Sequence, residues 1–250
     1  MGGHSHWATT KRHKMAVDAK RGKAFTKVIR EITVAARMGG GDPNGNPRLR
    51  LAIIKAKEQN MPQENIKRAI QKGTGELPGQ VIEEITYEGY GPGGVAILIE
   101  CLTDNRNRTL PEIRHLVARY GGSLGEAGCV GWMFDKKGYV VVERSKADEE
   151  ALMTMVLEAG GEDLRIDGDR YEILCDLAAF ESVKRALERQ SIPTLLAELS
   201  MIPKNSIKLE GKEAEQMVHL MDALEDHDDV QKVWANFDIA DEVMAQLAAG

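Results

Sequence analysis

The sequence predicts an α+β protein: an N-terminal helical bundle followed by two ferredoxin-like α/β sandwich domains, the second inserted into the first. Three observations carry this. Residues 17–73 show helical periodicity and no strand-like run. From about Gln80 the pattern turns to strands alternating with helices. Within that stretch one complete βαββαβ set sits inside a second set, whose last helix and strand arrive only near the end of the chain. The expected boundaries are 1–78 for the helical domain, 79–135 plus 205–240 for the split domain and 136–204 for the inserted one.

Residues 1–14 read as a basic arm with little apolar content. A helix follows from about Val17 to Arg37. At roughly 100° per residue, Phe25, Val28, Ile29 and Ile32 share one arc and Lys20, Lys23, Lys27 and Arg30 the opposite one. It stops at Gly39-Gly40-Gly41, before the turn residues Asp42-Pro43-Asn44-Gly45. Asn46 as N-cap and Pro47 at the first helical position open a second helix to about Glu58. Met61-Pro62 opens a third, with Ile66, Ala69 and Ile70 inward, Lys67, Arg68 and Lys72 outward, and Gly73 as its stop.

Val81–Glu88 and Val95–Cys101 read as strands joined by a glycine turn. Leu110–Tyr120 reads as a helix and Gly128–Phe134 as a strand. The inserted set is Tyr139–Val142 as a strand, Asp148–Ala159 as a helix, strands Leu164–Ile166 and Tyr171–Leu174 about the turn Asp167-Gly168-Asp169, a helix Ala178–Gln190 and a strand Thr194–Met201. Glu213–Glu225 and Val230–Phe237 then supply the helix and strand that the split set lacks.

The net charge is −6 over 250 residues, but it is unevenly spread. The first 75 residues hold 16 Lys and Arg against 5 Asp and Glu, a net +11; the rest hold 17 against 34, a net −17. Such asymmetry points to a polyanion partner for the basic part. Phosphate contact needs cations on one surface. The candidates are Lys11, Arg12 and Lys14 in the arm, then Lys20, Arg21, Lys23, Lys27 and Arg30 on the first helix. The second helix adds Arg48, Arg50, Lys55 and Lys57. Trp7 would stack on a base or anchor the arm.

Other chemistry is poorly supported. Gly89-Tyr90-Gly91-Pro92-Gly93-Gly94 contains G-x-G-x-x-G, but it enters a strand-like run rather than a helix, and Pro92 removes a backbone donor, so a hairpin turn is expected. His4, His6 and His13 lack cysteine partners, and no metal or cofactor is expected. Cys101, Cys129 and Cys175 are odd in number and read as core thiols of a reducing, cytoplasmic compartment. No apolar run is long enough to span a membrane. Glu225-Asp226-His227-Asp228-Asp229 reads as a solvated loop. Asp104, Asn105, Arg106, Asn107 and Arg108 follow a strand and precede a helix. They read either as an interdomain crevice that takes an anion or as a helix cap with ion pairs, and no nucleophile–base pair accompanies them.

Several runs together carry a family resemblance: Gly3-His4-Ser5-His6-Trp7, Asp18-Ala19-Lys20-Arg21-Gly22-Lys23, Gly39-Gly40-Gly41-Asp42-Pro43-Asn44, Asn46-Pro47-Arg48-Leu49-Arg50, Tyr87–Gly94, Asp104–Thr109, Ser200-Met201-Ile202-Pro203, Leu224-Glu225-Asp226 and Asp228-Asp229-Val230. Over essentially its whole length the chain resembles the YebC/PmpR family, whose mitochondrial relative is the translational activator of cytochrome c oxidase. His6 stands where the family pattern has lysine. The resemblance implies three domains and a non-enzymatic regulator of gene expression, either a DNA-binding transcriptional regulator or a ribosome-associated factor that binds ribosomal RNA or tRNA and relieves stalling at proline runs. The cationic surface serves DNA and RNA alike.

Overall fold

A computed structural model describes residues 19–240 and residue 243, with the side chains of 19–22 left aside. The arm with Lys11, Arg12 and Lys14, together with His4, His6, Trp7 and His13, lies outside the described residues, as do the side chains of Lys20 and Arg21. The described chain falls into two compact units. One holds residues up to Val130 plus Glu210–Val233; the other holds Gly131–Leu209 and the residues from Trp234.

The first unit begins with three helices: α1 (Ala19–Gly39), α2 (Pro47–Glu58) and α3 (Gln63–Thr74). Asn46 sets the turn between the first two. Its Oδ1 accepts from the Leu49 amide at 3.1 Å, capping α2, while its Nδ2 donates to Ala35 O at 2.8 Å and Gly40 O at 2.9 Å, satisfying carbonyls at the end of α1. One buried side chain thus closes one helix and opens the next. Val28, Ile32, Ala35, Leu49, Ala56 and Ile66 form the core between the helices.

The expected stop at Gly73 is corrected. Helix α3 runs on to Thr74, and the left-handed cap is Gly75, at φ 83°. Gly73 serves packing instead: a Cβ there would lie 2.4 Å from Thr33 O and 2.7 Å from the Ala36 Cβ of α1. Only glycine lets the two backbones approach so closely.

The same unit holds an antiparallel hairpin of β1 (Glu83–Tyr90) and β2 (Ala96–Thr103), then α4 (Arg106–Arg119) and the short β3 (Ser123–Leu124). Val95 through Ile99 are all buried, as the unbroken apolar run requires. The glycine run is the hairpin turn: Gly91 donates to Val95 O at 2.7 Å, and Gly93 and Gly94 take φ of 68° and 77°. The expected strand at Gly128–Phe134 is not formed. The edge strand is Ser123–Leu124, paired with Gly89 and Tyr90. Residues 128–130 form a loop held by the Glu88 carboxylate, which accepts from the Gly128 amide at 2.8 Å and the Val130 amide at 2.9 Å. A side chain takes the donors that a strand partner would have used, and Gly128 at φ 87° breaks the extended path.

In the second unit come β4 (Phe134–Glu143), α5 (Glu149–Glu158), β5 (Gly161–Asp167), β6 (Arg170–Cys175), α6 (Phe180–Arg189) and β7 (Thr194–Pro203). The strand order is β5-β6-β4-β7, antiparallel throughout, which is the ferredoxin-like arrangement. Val140, Val142 and Ile173 meet Leu152 and Val156 of α5 and Val183 and Leu187 of α6 in its core. After β8 (Ile207–Lys208), α7 (Gly211–Glu225) and β9 (Val230–Ala235) complete the first sheet, in the order β3-β1-β2-β9, and β10 (Phe237–Asp238) pairs with β8. The late helix and strand return to the early hairpin, as the split set requires.

Candidate nucleic-acid interface

The cationic arc of α1 faces the end of α7 and the loop behind it. Lys27 Nζ donates to Glu225 O at 2.5 Å and Lys23 Nζ to Asp226 O at 3.1 Å. These are last-turn carbonyls of α7, where the helix dipole is negative and orphan acceptors need donors. Arg30 reaches further: its NH1 donates to Asp228 O at 2.7 Å and to Asp229 Oδ1 at 2.6 Å. The arc is therefore cationic as expected, but Lys23, Lys27 and Arg30 bind their own chain.

Glu225–Asp229 is not a solvated loop. Asp229 is buried, its side chain 2% exposed, and it is the hub of the unit. Besides Arg30, Arg108 donates to its Oδ2 at 2.8 Å and the Thr109 hydroxyl at 2.6 Å, with the Thr103 hydroxyl at 3.2 Å. Burial alone would push this carboxyl up. The hydrogen bonds from Arg108 and Thr109 and the charges of Arg30 and Arg108 outweigh it and hold the group at about 2. The backbone joins in, since Asp229 O accepts from the Leu102 amide at 2.8 Å and the Asp229 amide donates to His227 Nδ1 at 3.1 Å.

The Asp104–Arg108 segment follows the cap-and-ion-pair reading. Asn105 Oδ1 accepts from the Arg108 amide at 3.1 Å and caps α4. Arg108 bridges Asp104 Oδ1 at 3.1 Å and Asp229 Oδ2 at 2.8 Å, and these contacts raise its pKa. Arg106 and Asn107 are exposed at the helix start. Glu112, His227 and Asp229 bring three ligand-type atoms within 4.8 Å of one another. Two guanidinium groups on the same Asp229 carboxylate already supply the positive charge there and oppose a metal ion.

Arg48 is likewise taken up. It grips Glu31 with two bonds, at 2.7 and 3.1 Å, and reaches Glu84 at 2.8 Å, contacts that push its pKa further up. By contrast, Arg50, Lys55 and Lys57 of α2 and Lys67, Arg68 and Lys72 of α3 are exposed. Arg50 makes one long bond to Pro43 O, at 3.4 Å, and Arg68 a loose pair with Glu64 at 3.8 Å. Among the three N-terminal helices, most exposed cations thus lie on α2 and α3, with Lys23 and Arg37 on α1. Reading the residues singly missed Asp229. Its signal was two acidic residues directly ahead of an apolar strand, and chain separation hid its partners.

The thiols of Cys101 and Cys175 are buried, Cys129 is partly so, and none of the three forms a disulfide. Burial pushes the Cys101 thiol up to about 12, which keeps it protonated and inert. Among the described residues, no helix is long and apolar enough to cross a membrane.

Residues 5–76 match the family model described as the TACO1/YebC protein N-terminal domain, and residues 82–237 that of the TACO1/YebC second and third domain. A protein of Geobacter sulfurreducens named "probable transcriptional regulatory protein" is 59% identical over 99% of this chain and 100% of its own length. One of the same description from Desulforapulum autotrophicum is 59% identical over 97% of this chain and 98% of its own. The crystal structure of a conserved hypothetical protein from Aquifex aeolicus superposes with a TM-score of 0.80 at 46% identity, covering 91% of this chain and 94% of that one. With both family models matched in sequence order and relatives aligned end to end, the chain belongs to the TACO1/YebC family.

Proposed function

We propose that this protein is a non-enzymatic regulator of gene expression that binds DNA through the outward cations of α2 and α3. The observation that carries the reading is the contrast in exposure: Arg50, Lys57, Lys67, Arg68 and Lys72 stand in solvent on consecutive helices, while Lys27, Arg30 and Arg48 are held by carbonyls and carboxylates of their own chain. Phosphate oxygens need donors they can approach, and each neutralised phosphate releases counterions. The basic arm, with Lys11, Arg12 and Lys14, would add sequence-independent attraction. The relatives' shared description as probable transcriptional regulatory proteins supports the same reading. Arg108 pairs with both Asp104 and Asp229, and Arg30 adds a second cation on Asp229, so this cluster is an internal ion-pair network.

The test is duplex DNA binding followed across a salt series. Affinity should fall steeply with salt, and each of Arg50→Gln, Lys55→Gln and Lys57→Gln should lower the slope by about one. Slopes that do not change in any of the three would sink this surface as the binding site. RNA is the rival within the same chemistry. Absence of duplex binding, together with ribosome co-sedimentation that the same substitutions abolish, would replace DNA with RNA.

A further inference from the structure

We infer that α2 meets the duplex as a wedge, with Leu51 and Ile54 pressed against a base step from the minor-groove side and flanking cations on the bordering phosphates, so that the bound DNA is bent. This rests on the DNA reading above and adds the mode of engagement.

The geometry is that of the exposed side of α2. Leu51 is 41% and Ile54 46% exposed, although both are large and aliphatic. Setting Arg50 at zero on the helix, Ile54 and Leu51 fall at about 40° and 100°, Lys57 at about −20° and Lys55 at about 140°. The buried positions Leu49, Ala52 and Ala56 lie on the far side, at about 200° to 260°. So the two aliphatic side chains form the ridge farthest from the core, and cations line both flanks. An ordinary solvated face carries its charge at that pole and its aliphatic residues inward. Glu58 falls at about 80°, on the same arc, and closes the aliphatic ridge with an acidic side chain in the final turn.

That layout fits one mode of DNA contact better than another. Reading base edges in the major groove puts hydrogen-bonding side chains at the centre of the outward face. Here positions 47, 50, 51, 54, 55 and 58 are Pro, Arg, Leu, Ile, Lys and Glu, so Arg50 and Lys55, the side chains able to read guanine, stand at the flanks of an aliphatic ridge. Aliphatic wedges flanked by Arg and Lys are how minor-groove binders open a base step: unstacking is offset by phosphate contacts that the bend makes possible. Charge complementarity supports a polyanion as the occupant, because α3 adds exposed Lys67, Arg68 and Lys72 to the same helical region.

The experiment uses the full chain and a short duplex labelled at both ends. Binding is read by anisotropy and end-to-end distance by energy transfer. The wild-type protein should raise the transfer on binding. The double variant Leu51→Ala/Ile54→Ala should lose that rise and about tenfold in affinity, with the salt slope kept; Arg50→Gln/Lys55→Gln should lower the slope by about two. Both aliphatic residues are exposed, so the fold is retained, and circular dichroism checks this. Wild-type binding with no change in transfer overturns the wedge and leaves the DNA reading standing. Unchanged DNA affinity in the aliphatic double variant assigns the ridge to a protein partner or a second copy and also overturns it. No duplex binding by the wild-type chain overturns both.

Discussion

Helices α1 and α2 carry similar cationic patterns, yet the fold uses them in opposite ways. On α1, Lys23, Lys27 and Arg30 recur on one arc and reach the carbonyls of Glu225, Asp226 and Asp228 and the carboxylate of Asp229. On α2, Arg50 and Lys57 stand outward, and Arg48 is drawn in by Glu31 and Glu84. A cation is a binding group only if its own protein has not already satisfied it. The first helix spends its charge on tertiary structure, and the second presents its charge to solvent.

The sharpest way to break this contrast is to remove the hub. Asp229→Ala leaves Arg30 without its carboxylate partner in a partly buried site, and should cost about 3 kcal/mol in urea unfolding. A loss below about 1 kcal/mol would mean that the α1 arc is not structural after all. The pH dependence probes the same carboxylate without mutation. Its folded value, about 2, lies below the ordinary aspartate value of about 3.9, so its stabilisation is present above the latter and is lost as pH falls toward the former. Unfolding free energy should therefore drop by about 2 kcal/mol between pH 4 and pH 2 through this group, and Asp229→Asn should flatten that part of the profile.

Gly73→Ala attacks the packing of α3 on α1 instead. With a Cβ 2.4 Å from Thr33 O, backbone must shift, and the expected loss is about 2 kcal/mol in thermal or urea unfolding. Lys27→Gln removes one donor from the end of α7 and should cost about 1 kcal/mol while leaving nucleic-acid affinity nearly unchanged. At the small end, Lys57→Gln on α2 should change stability by less than about 0.5 kcal/mol while weakening nucleic-acid binding. If Lys27 and Lys57 variants behaved alike in both assays, the division between the two helices would fail.

Much of the fold was legible along the chain. Asn46-Pro47 marks the start of α2, the run Val95–Ile99 marks a strand buried on both faces, and the turn at Gly168 joins β5 to β6. These rest on chemistry within a few residues, which local reading captures. The misses share a different cause. Glycine at 73 looks like a stop unless the neighbouring backbone is visible, and Gly128–Phe134 looks like a strand unless Glu88, about 40 residues away, is seen to claim its amides. The Glu225–Asp229 loop looks solvated because its cations sit on α1, nearly 200 positions earlier.

By itself, the sequence determined most of the helical and strand segments, the split of one strand set around another and the concentration of positive charge in the first 75 residues. Periodicity, capping and charge count are local or additive properties, so they survive being read in one dimension. Tertiary structure alone decided which of those charges stay available. Whether a lysine meets solvent or a helix end depends on what folding brings opposite it, and for Lys27 and Arg30 that is a segment nearly the whole chain away.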